Sequence, residues 1–183
     1  IDLPPSIQES LDKQTTRLRQ TLGDDLVRWV PAPNMHLTLK FLGSLPLAHL
    51  AFIKRILTQS ADSTPQFNLQ IGGLGSFPNS KRPRVLWAGI HAPAGLPTLQ
   101  KTIEDGATRL GYNKEERPFS PHLTLGRVRQ GLSAQELQKV STTFSAFQLG
   151  KISTARVDSV YLYQSDLNSE GSVYTKLFSA TLR

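Results

Sequence analysis

The tetrapeptide His-Leu-Thr-Leu occurs twice in this chain of 183 residues, at positions 36–39 and 122–125. The chain contains 4 histidines, so half of them begin this repeat. Polar and apolar residues alternate in both copies, which is the period of a strand with one buried face. On such a strand the histidine and the threonine share a face and lie about 7 Å apart at Cα. The repeat therefore predicts one site built from two copies of the same strand pattern.

The alternation extends beyond the first copy and predicts a strand over residues 34–43. It places Lys40 on the same face as His36 and Thr38, and it places Phe41 with the leucines in the core. The second copy is followed by Arg127. The motifs thus predict a groove that contains imidazole, hydroxyl and cationic groups.

The rest of the chain predicts an α+β fold with mainly antiparallel sheet, because helices and strands intermix without regular βαβ spacing. Apolar spacing and a capping box at Ser133 predict helices over 7–22, 50–61, 96–110 and from 133 onward. Strand patterns lie at 26–30, 67–71, 85–90, 122–127, 157–163 and 173–182, and the 85–90 strand is expected to be central. Residues 75–84 are expected to form a basic loop. Each half contains helices and a histidine strand, which predicts two similar lobes across a cleft.

Composition restricts the partners. A net charge of +7 and a pI near 9.9 favour an anionic partner, with nucleic acid first and an anionic membrane second. The absence of cysteine excludes disulfides, thiol catalysis and cysteine-based zinc sites, and it fits a cytoplasmic location. No apolar run reaches the length of a membrane span.

Two histidines facing one cleft can supply a base and an acid near neutral pH, because imidazole titrates at about 6.5. Thr38 and Thr124 can donate hydrogen bonds to an oxyanion, and Lys40 and Arg127 can add positive charge. This set suits phosphoryl chemistry in which one histidine deprotonates the attacking oxygen and the other protonates the leaving oxygen.

Other kinds of site are weaker matches. A zinc site using both histidines lacks an HExxH pattern and needs a third ligand from scattered acids. There is no Gly-x-Ser-x-Gly elbow for a nucleophilic serine and no Walker loop. A non-catalytic RNA-binding module could use the basic surface and the cleft to hold phosphate, although binding alone calls for Arg and Lys rather than imidazoles.

With both motifs considered, the chain resembles the 2H phosphoesterase superfamily. Within it, the chain is similar to the RNA 2′,3′-cyclic phosphodiesterases, once called 2′-5′ RNA ligases. The matching segments are 1–4, 27–30, 36–43, 75–78, 84–89, 119–127 and 162–174.

The resemblance implies a single bilobal domain over 1–183, with pseudo-twofold symmetry and both motifs in the central cleft. It implies His36 as proton donor and His122 as proton acceptor, with Thr38, Thr124 and Arg127 holding phosphate oxygens. No metal or cofactor is implied. Because the family has several residues before the Asp-Leu-Pro position, the first strand is expected to be truncated.

The expected activity is hydrolysis of a terminal 2′,3′-cyclic phosphate of RNA to a 2′-phosphate. Fragments of tRNA are among the candidate substrates. The same site run backwards could join RNA ends through a 2′-5′ bond. The protein is expected to act as a monomer without a membrane partner. Two alternatives are a non-catalytic RNA-binding module and a 2H phosphodiesterase for another cyclic nucleotide.

Overall fold

A computed structural model describes residues 1–150, 152, 154–168 and 171–183 of the chain. The elements within these ranges confirm the α+β class and all four predicted helices. The helices are α1 (Pro5–Leu26), α2 (Leu47–Asp62), α3 (Gly95–Arg109) and α4 (Ala134–Ala146), with a 3₁₀ turn at Ala32–Asn34. The strands are β1 (Val27–Trp29), β2 (Phe67–Phe77), β3 (Val85–His91), β4 (His122–Val128), β5 (Ala155–Val157), β6 (Ser159–Leu167) and β7 (Ser172–Thr181).

The first five strands form one antiparallel sheet, which curls into a half-barrel. Its order is β1-β4-β3-β2-β5, so β3 is central as its apolar sequence predicts. β6 and β7 form a separate antiparallel hairpin. The second histidine motif therefore lies on a strand with a partner on each side, namely β1 and β3.

The helices close the core as their apolar spacing predicts. Ile7, Leu11 and Leu18 of α1 are fully buried, and a positive φ at Gly23 breaks the last turn of this helix. α4 begins with the predicted capping box, in which Ser133 and Glu136 exchange side-chain and backbone hydrogen bonds. None of the helices in the described ranges combines the length and the apolar character needed to cross a bilayer.

The predicted strand at 34–43 is wrong as a regular element. Its only pairings within the described residues are two isolated bridges, from Asp2 to His36 and from Leu37 to Leu123. The backbone bends at Leu39, and no strand follows before α2. Alternation of residue types indicates which face a side chain would occupy, but a strand also requires a continuous backbone partner.

Two further local predictions fail because of backbone pairing. Residues 75–77 belong to β2 rather than to a loop, because Gly75, Ser76 and Phe77 pair with β3. The sequence predicts Phe41 in the core, but 80% of this residue is exposed. The alternation that places Phe41 in the core ends at the bend, so its side chain leaves the apolar face.

We expect Leu37→Ala and Phe41→Ser to have clearly different effects on the free energy of unfolding, measured with urea. Leu37 is 1% exposed, so its truncation should leave a cavity and cost about 2–5 kcal/mol. Phe41 lies on the surface, so its replacement should change the free energy of unfolding by less than about 0.5 kcal/mol. A large loss of stability in the Phe41 variant would mean that this ring is buried in solution.

Candidate active site

The bridge between Leu37 and Leu123 joins the two motifs directly, with their backbones antiparallel. Residues flanking such a bridge lie side by side in reverse order, so His36 is next to Thr124 and Thr38 is next to His122. The two leucines are buried in the core. The four polar side chains are left on the opposite face, where they form one cluster.

Five of the six predicted site residues line a single cleft of about 430 Å³: His36, Thr38, His122, Thr124 and Arg127. All but Arg127 are half-buried, and Arg127 is exposed. Diagonal neighbours across an antiparallel pair lie about 7–8 Å apart. The two imidazoles can therefore lie on opposite sides of one phosphate-sized group.

Both histidines are oriented by the same backbone contact. Nδ1 of His36 lies 2.8 Å from the carbonyl oxygen of Asn34, and Nδ1 of His122 lies 2.7 Å from that of Ser120. A carbonyl oxygen only accepts, so Nδ1 carries the proton in each ring. Nε2 is then the atom available for proton transfer: it accepts when the imidazole is neutral and donates when it is charged.

The ring of His36 packs against two tyrosines of the β6–β7 hairpin. Tyr174 lies edge-on with its ring centroid 4.8 Å away, and Tyr163 lies 6.1 Å away. The Tyr163 hydroxyl donates to the Asp2 carboxylate at 2.7 and 2.8 Å, and burial is the first cause that raises its pKa. Burial likewise lowers the pKa of His36 below its ordinary value of 6.5.

His122 has a matching pair of aromatic neighbours on β2 and β3. Phe77 lies edge-on at 4.9 Å, and Trp87 lies 6.2 Å away. The six-membered ring of Trp87 lies so close to Gly75 that a Cβ on residue 75 would overlap it. Gly75 therefore leaves room for the indole next to His122.

A β-bulge turns Arg127 into the cleft. Trp87 pairs with Thr124, whereas its neighbour Leu86 pairs with Gly126, so Leu125 is an extra residue on β4. Strict alternation from Thr124 would place residue 127 on the apolar face. The extra residue reverses the parity, so Arg127 shares the face of Thr124.

Lys40 is not placed as predicted. Its ammonium donates to Oε1 of Glu104 and to the carbonyl oxygen of Asn113, both at 2.6 Å. The Lys40 and Glu104 side chains are each 7% exposed. Lys40 lines a neighbouring cavity together with His36 and Thr38, but it does not line the cleft that contains both histidines. The bend at Leu39 redirects this side chain towards α3, where it forms a buried ion pair.

Sequence patterns do not reveal several other residues of the cleft. Arg28 lines it because β1 pairs with β4, and Tyr174 lines it from the β7 strand of the hairpin. The alternation of β6 and β7 predicts the strands but not which histidine they contact. Among the described residues, no three His, Cys, Asp or Glu side chains are grouped to hold a metal ion.

Comparison with known proteins identifies the family. The sequence profile of the 2′-5′ RNA ligase superfamily matches residues 4–168. The chain belongs to this superfamily. An RNA 2′,3′-cyclic phosphodiesterase of Methanothermobacter thermautotrophicus is 30% identical over 177 residues, covering 96% of this chain and 94% of the relative. One of Aeropyrum pernix is 31% identical over 165 residues, covering 88% and 91%.

Solved structures of similar proteins have the same fold. The crystal structure of TT0787 of Thermus thermophilus superposes with a TM-score of 0.81 at 26% identity, covering 100% of this chain and 95% of that one. E. coli LigT complexed with 3′-AMP superposes with a TM-score of 0.78 at 28% identity, covering 100% and 94%. The likeness therefore extends over the whole chain.

NMR titration of the His36 ring should give a midpoint below 6.5, because burial disfavours the imidazolium. Tyr174→Ala should raise this midpoint towards 6.5 by admitting water. Phe52→Ala removes a 54% exposed ring that does not line the cleft, so it should leave the midpoint unchanged. A midpoint at or above 6.5 in the unaltered protein would contradict the burial of His36.

The lowered pKa of His36 also predicts how the stability of the protein changes with pH. The folded-state pKa of His36 is lower than the unfolded value, so the unfolded chain binds the proton first as the pH falls. The contribution of a neutral His36 to the free energy of unfolding is fully present above about pH 6.5. It is lost as the pH falls from the unfolded-state pKa to the folded-state pKa. Urea unfolding at a series of pH values, with His36→Gln as the comparison, measures this loss.

Proposed function

We propose that this protein hydrolyses the terminal 2′,3′-cyclic phosphate of RNA to a 2′-phosphate. The observation that carries the proposal is the pairing of two histidines in one cleft, each with Nδ1 bound to a carbonyl and Nε2 available. Relatives named RNA 2′,3′-cyclic phosphodiesterase at about 30% identity support the substrate class.

In this mechanism His122 acts as the base and His36 as the acid. Nε2 of neutral His122 accepts a proton from water, whose oxygen forms a new bond to phosphorus. The bond from phosphorus to the 3′ oxygen breaks in line, and Nε2–H of charged His36 protonates that oxygen. The products are a 3′-hydroxyl and a 2′-phosphate, and proton exchange with solvent restores both rings.

The remaining cleft residues bind the phosphate oxygens that do not react. Thr38 and Thr124 lie beside the opposite histidines, so each hydroxyl can donate to an oxygen held between the rings. Arg127 presents a planar guanidinium that can bind two phosphate oxygens at once. These donors stabilise the negative charge that increases as water attacks.

Substrate charge resolves an apparent conflict in the role of His36. A proton donor must be charged, yet burial lowers the pKa of this imidazole in the free protein. A phosphodiester anion beside the ring favours the charged form and raises the pKa. Substrate binding thus protonates the residue that needs a proton for catalysis.

The two motifs belong to equivalent halves of a bilobal fold in this proposal, with a pseudo-twofold axis near the Leu37–Leu123 bridge. The aromatic neighbours support this assignment. The edge-on rings lie at 4.8 and 4.9 Å from the two histidines, and the second rings lie at 6.1 and 6.2 Å. Each histidine therefore has a similar apolar support.

His36→Ala and His122→Ala should each reduce kcat by about 10²–10⁴, because each removes one proton transfer. The double variant should be little worse than the poorer single variant, since the pair acts as a unit. His49→Ala is the matched control, because His49 lies on α2 and contacts Tyr112 rather than the cleft. Retained turnover in either cleft variant would overturn the two-histidine mechanism, and RNA binding without turnover in the unaltered protein would favour a binding module.

Activity should survive incubation with EDTA, and kcat should follow a bell-shaped pH profile. Turnover requires a neutral base and a charged acid, so activity is lost at both low and high pH. On the alkaline side it falls above the pKa of His36, because this residue must be charged. The falling limb of kcat/KM reports the free protein and should lie at lower pH than that of kcat, because bound phosphate raises the pKa of His36. Loss of activity in EDTA that zinc restores would show that a metal takes part.

A further inference from the structure

Four arginines line one cavity beside the histidine cleft: Arg28, Arg84, Arg127 and Arg129. We call this set the arginine cluster. The cavity measures about 840 Å³, and all four side chains are exposed. Arg28 and Arg127 line both this cavity and the histidine cleft. The two cavities are therefore joined through these two guanidinium groups.

The backbone register places two like-charged side chains of the cluster directly opposite each other. Arg28 of β1 lies directly opposite Arg127 of β4 in the antiparallel register. Side chains at such positions are about 5 Å apart at Cβ, and like charges there are destabilising. The backbone hydrogen bond from Val128 to the Arg84 carbonyl brings a third arginine to the same end of the sheet. Such an arrangement favours a bound anion that offsets the repulsion.

No carboxylate forms an ion pair with these arginines in the parts of the chain that the structure describes. The ion pairs found there involve none of the four arginines. Asp24 forms its ion pair with Arg19. Arg129 instead donates from Nε to the Asp24 carbonyl oxygen at 2.7 Å, which leaves both terminal nitrogens for another acceptor.

We propose that the arginine cluster is a backbone-phosphate subsite for the RNA strand on the 5′ side of the cyclic phosphate. This inference rests on the proposed function, and it takes the strand out of the cleft past Arg28 and Arg127, which line both cavities. Guanidinium groups bind phosphate through two parallel hydrogen bonds, and grooves that track single strands are built from such cations. The subsite makes an oligonucleotide a better substrate than a cyclic mononucleotide.

The neighbouring loop supplies a control with the same charge. Lys81 and Arg82 lie close to Arg84 in sequence, but they line neither cavity. Their backbone N–H groups donate to the Asn79 side chain at 3.1 and 3.0 Å, which turns the loop. The sequence groups these cations with Arg84, whereas the structure assigns only Arg84 to the cluster.

The test compares kcat/KM for a short RNA ending in a 2′,3′-cyclic phosphate with kcat/KM for a cyclic mononucleotide. In the double variant Arg84→Gln with Arg129→Gln, the ratio of oligonucleotide to mononucleotide should fall about tenfold. The salt dependence of oligonucleotide binding should decrease by about 0.7 in slope for each phosphate that is no longer bound. Arg84→Gln alone, which leaves the hydrogen bond from Arg129 to Asp24 intact, should show part of both effects.

Two controls remove the same charge elsewhere. Lys81→Gln with Arg82→Gln changes the adjacent loop, and Arg55→Gln with Arg109→Gln changes positions on α2 and α3 that line neither cavity. Neither control should change the ratio by more than about twofold. A ratio unchanged in the cluster variant, or lowered equally in the controls, would overturn the proposal.

Failure of the subsite can be distinguished from failure of the proposed function. If the unaltered protein cleaves neither substrate, the proposed function fails. Fluorescence anisotropy with a labelled single-stranded RNA then still tests the cluster, because the cluster variant should bind about tenfold more weakly than either control. Equal binding by all three variants would overturn the subsite. Since the cluster contains repelling charges, its variant should also keep a thermal midpoint at least equal to that of the unaltered protein at low salt.

Discussion

The backbone bridge between Leu37 and Leu123 sets the two histidine–threonine motifs of the candidate site side by side. It joins segments from distant parts of the chain and sets them antiparallel, so each histidine lies beside the threonine of the other motif. The side chains of the two leucines are buried in the core. Their burial keeps the histidine–threonine pairs on the opposite face of the bridge. A slip of one residue would exchange the buried and polar faces. The buried leucines therefore protect the register on which the proposed acid–base chemistry depends.

A β-bulge in the sheet brings a positively charged side chain to the candidate site. The bulge at Leu125 turns Arg127 to the face of the motif, and the β1–β4 register places Arg28 opposite it. The cationic face then extends away from the histidines to Arg84 and Arg129. One extra residue in a strand pairing thus connects a small histidine cleft with a surface suited to a longer polyanion.

Lys40 illustrates how burial decides the use of a charged side chain. Its ammonium is bound by Glu104 and by the Asn113 carbonyl, and removing one partner of such a buried pair costs about 3–5 kcal/mol. Glu104 also accepts from the backbone N–H of Glu115 at 3.0 Å. The pair therefore connects the stretch after the first motif to α3 and to the loop that follows it. In this structure the Lys40 ammonium is therefore already bound by a carboxylate and a carbonyl oxygen.

The sequence by itself determined the helices, the central strand, the antiparallel α+β class and the histidine and threonine residues of the candidate site, because periodicity and a repeated motif are local properties. Only the tertiary structure decided the surroundings of those residues. The exposure of Phe41, the burial of Lys40, the tyrosines beside His36 and the orientation of Arg127 depend on a bend, a bulge and a hairpin distant in sequence. The alternation of polar and apolar residues predicts which face of a strand a side chain occupies only where the backbone pairing is regular. That pairing is set by the partner strand.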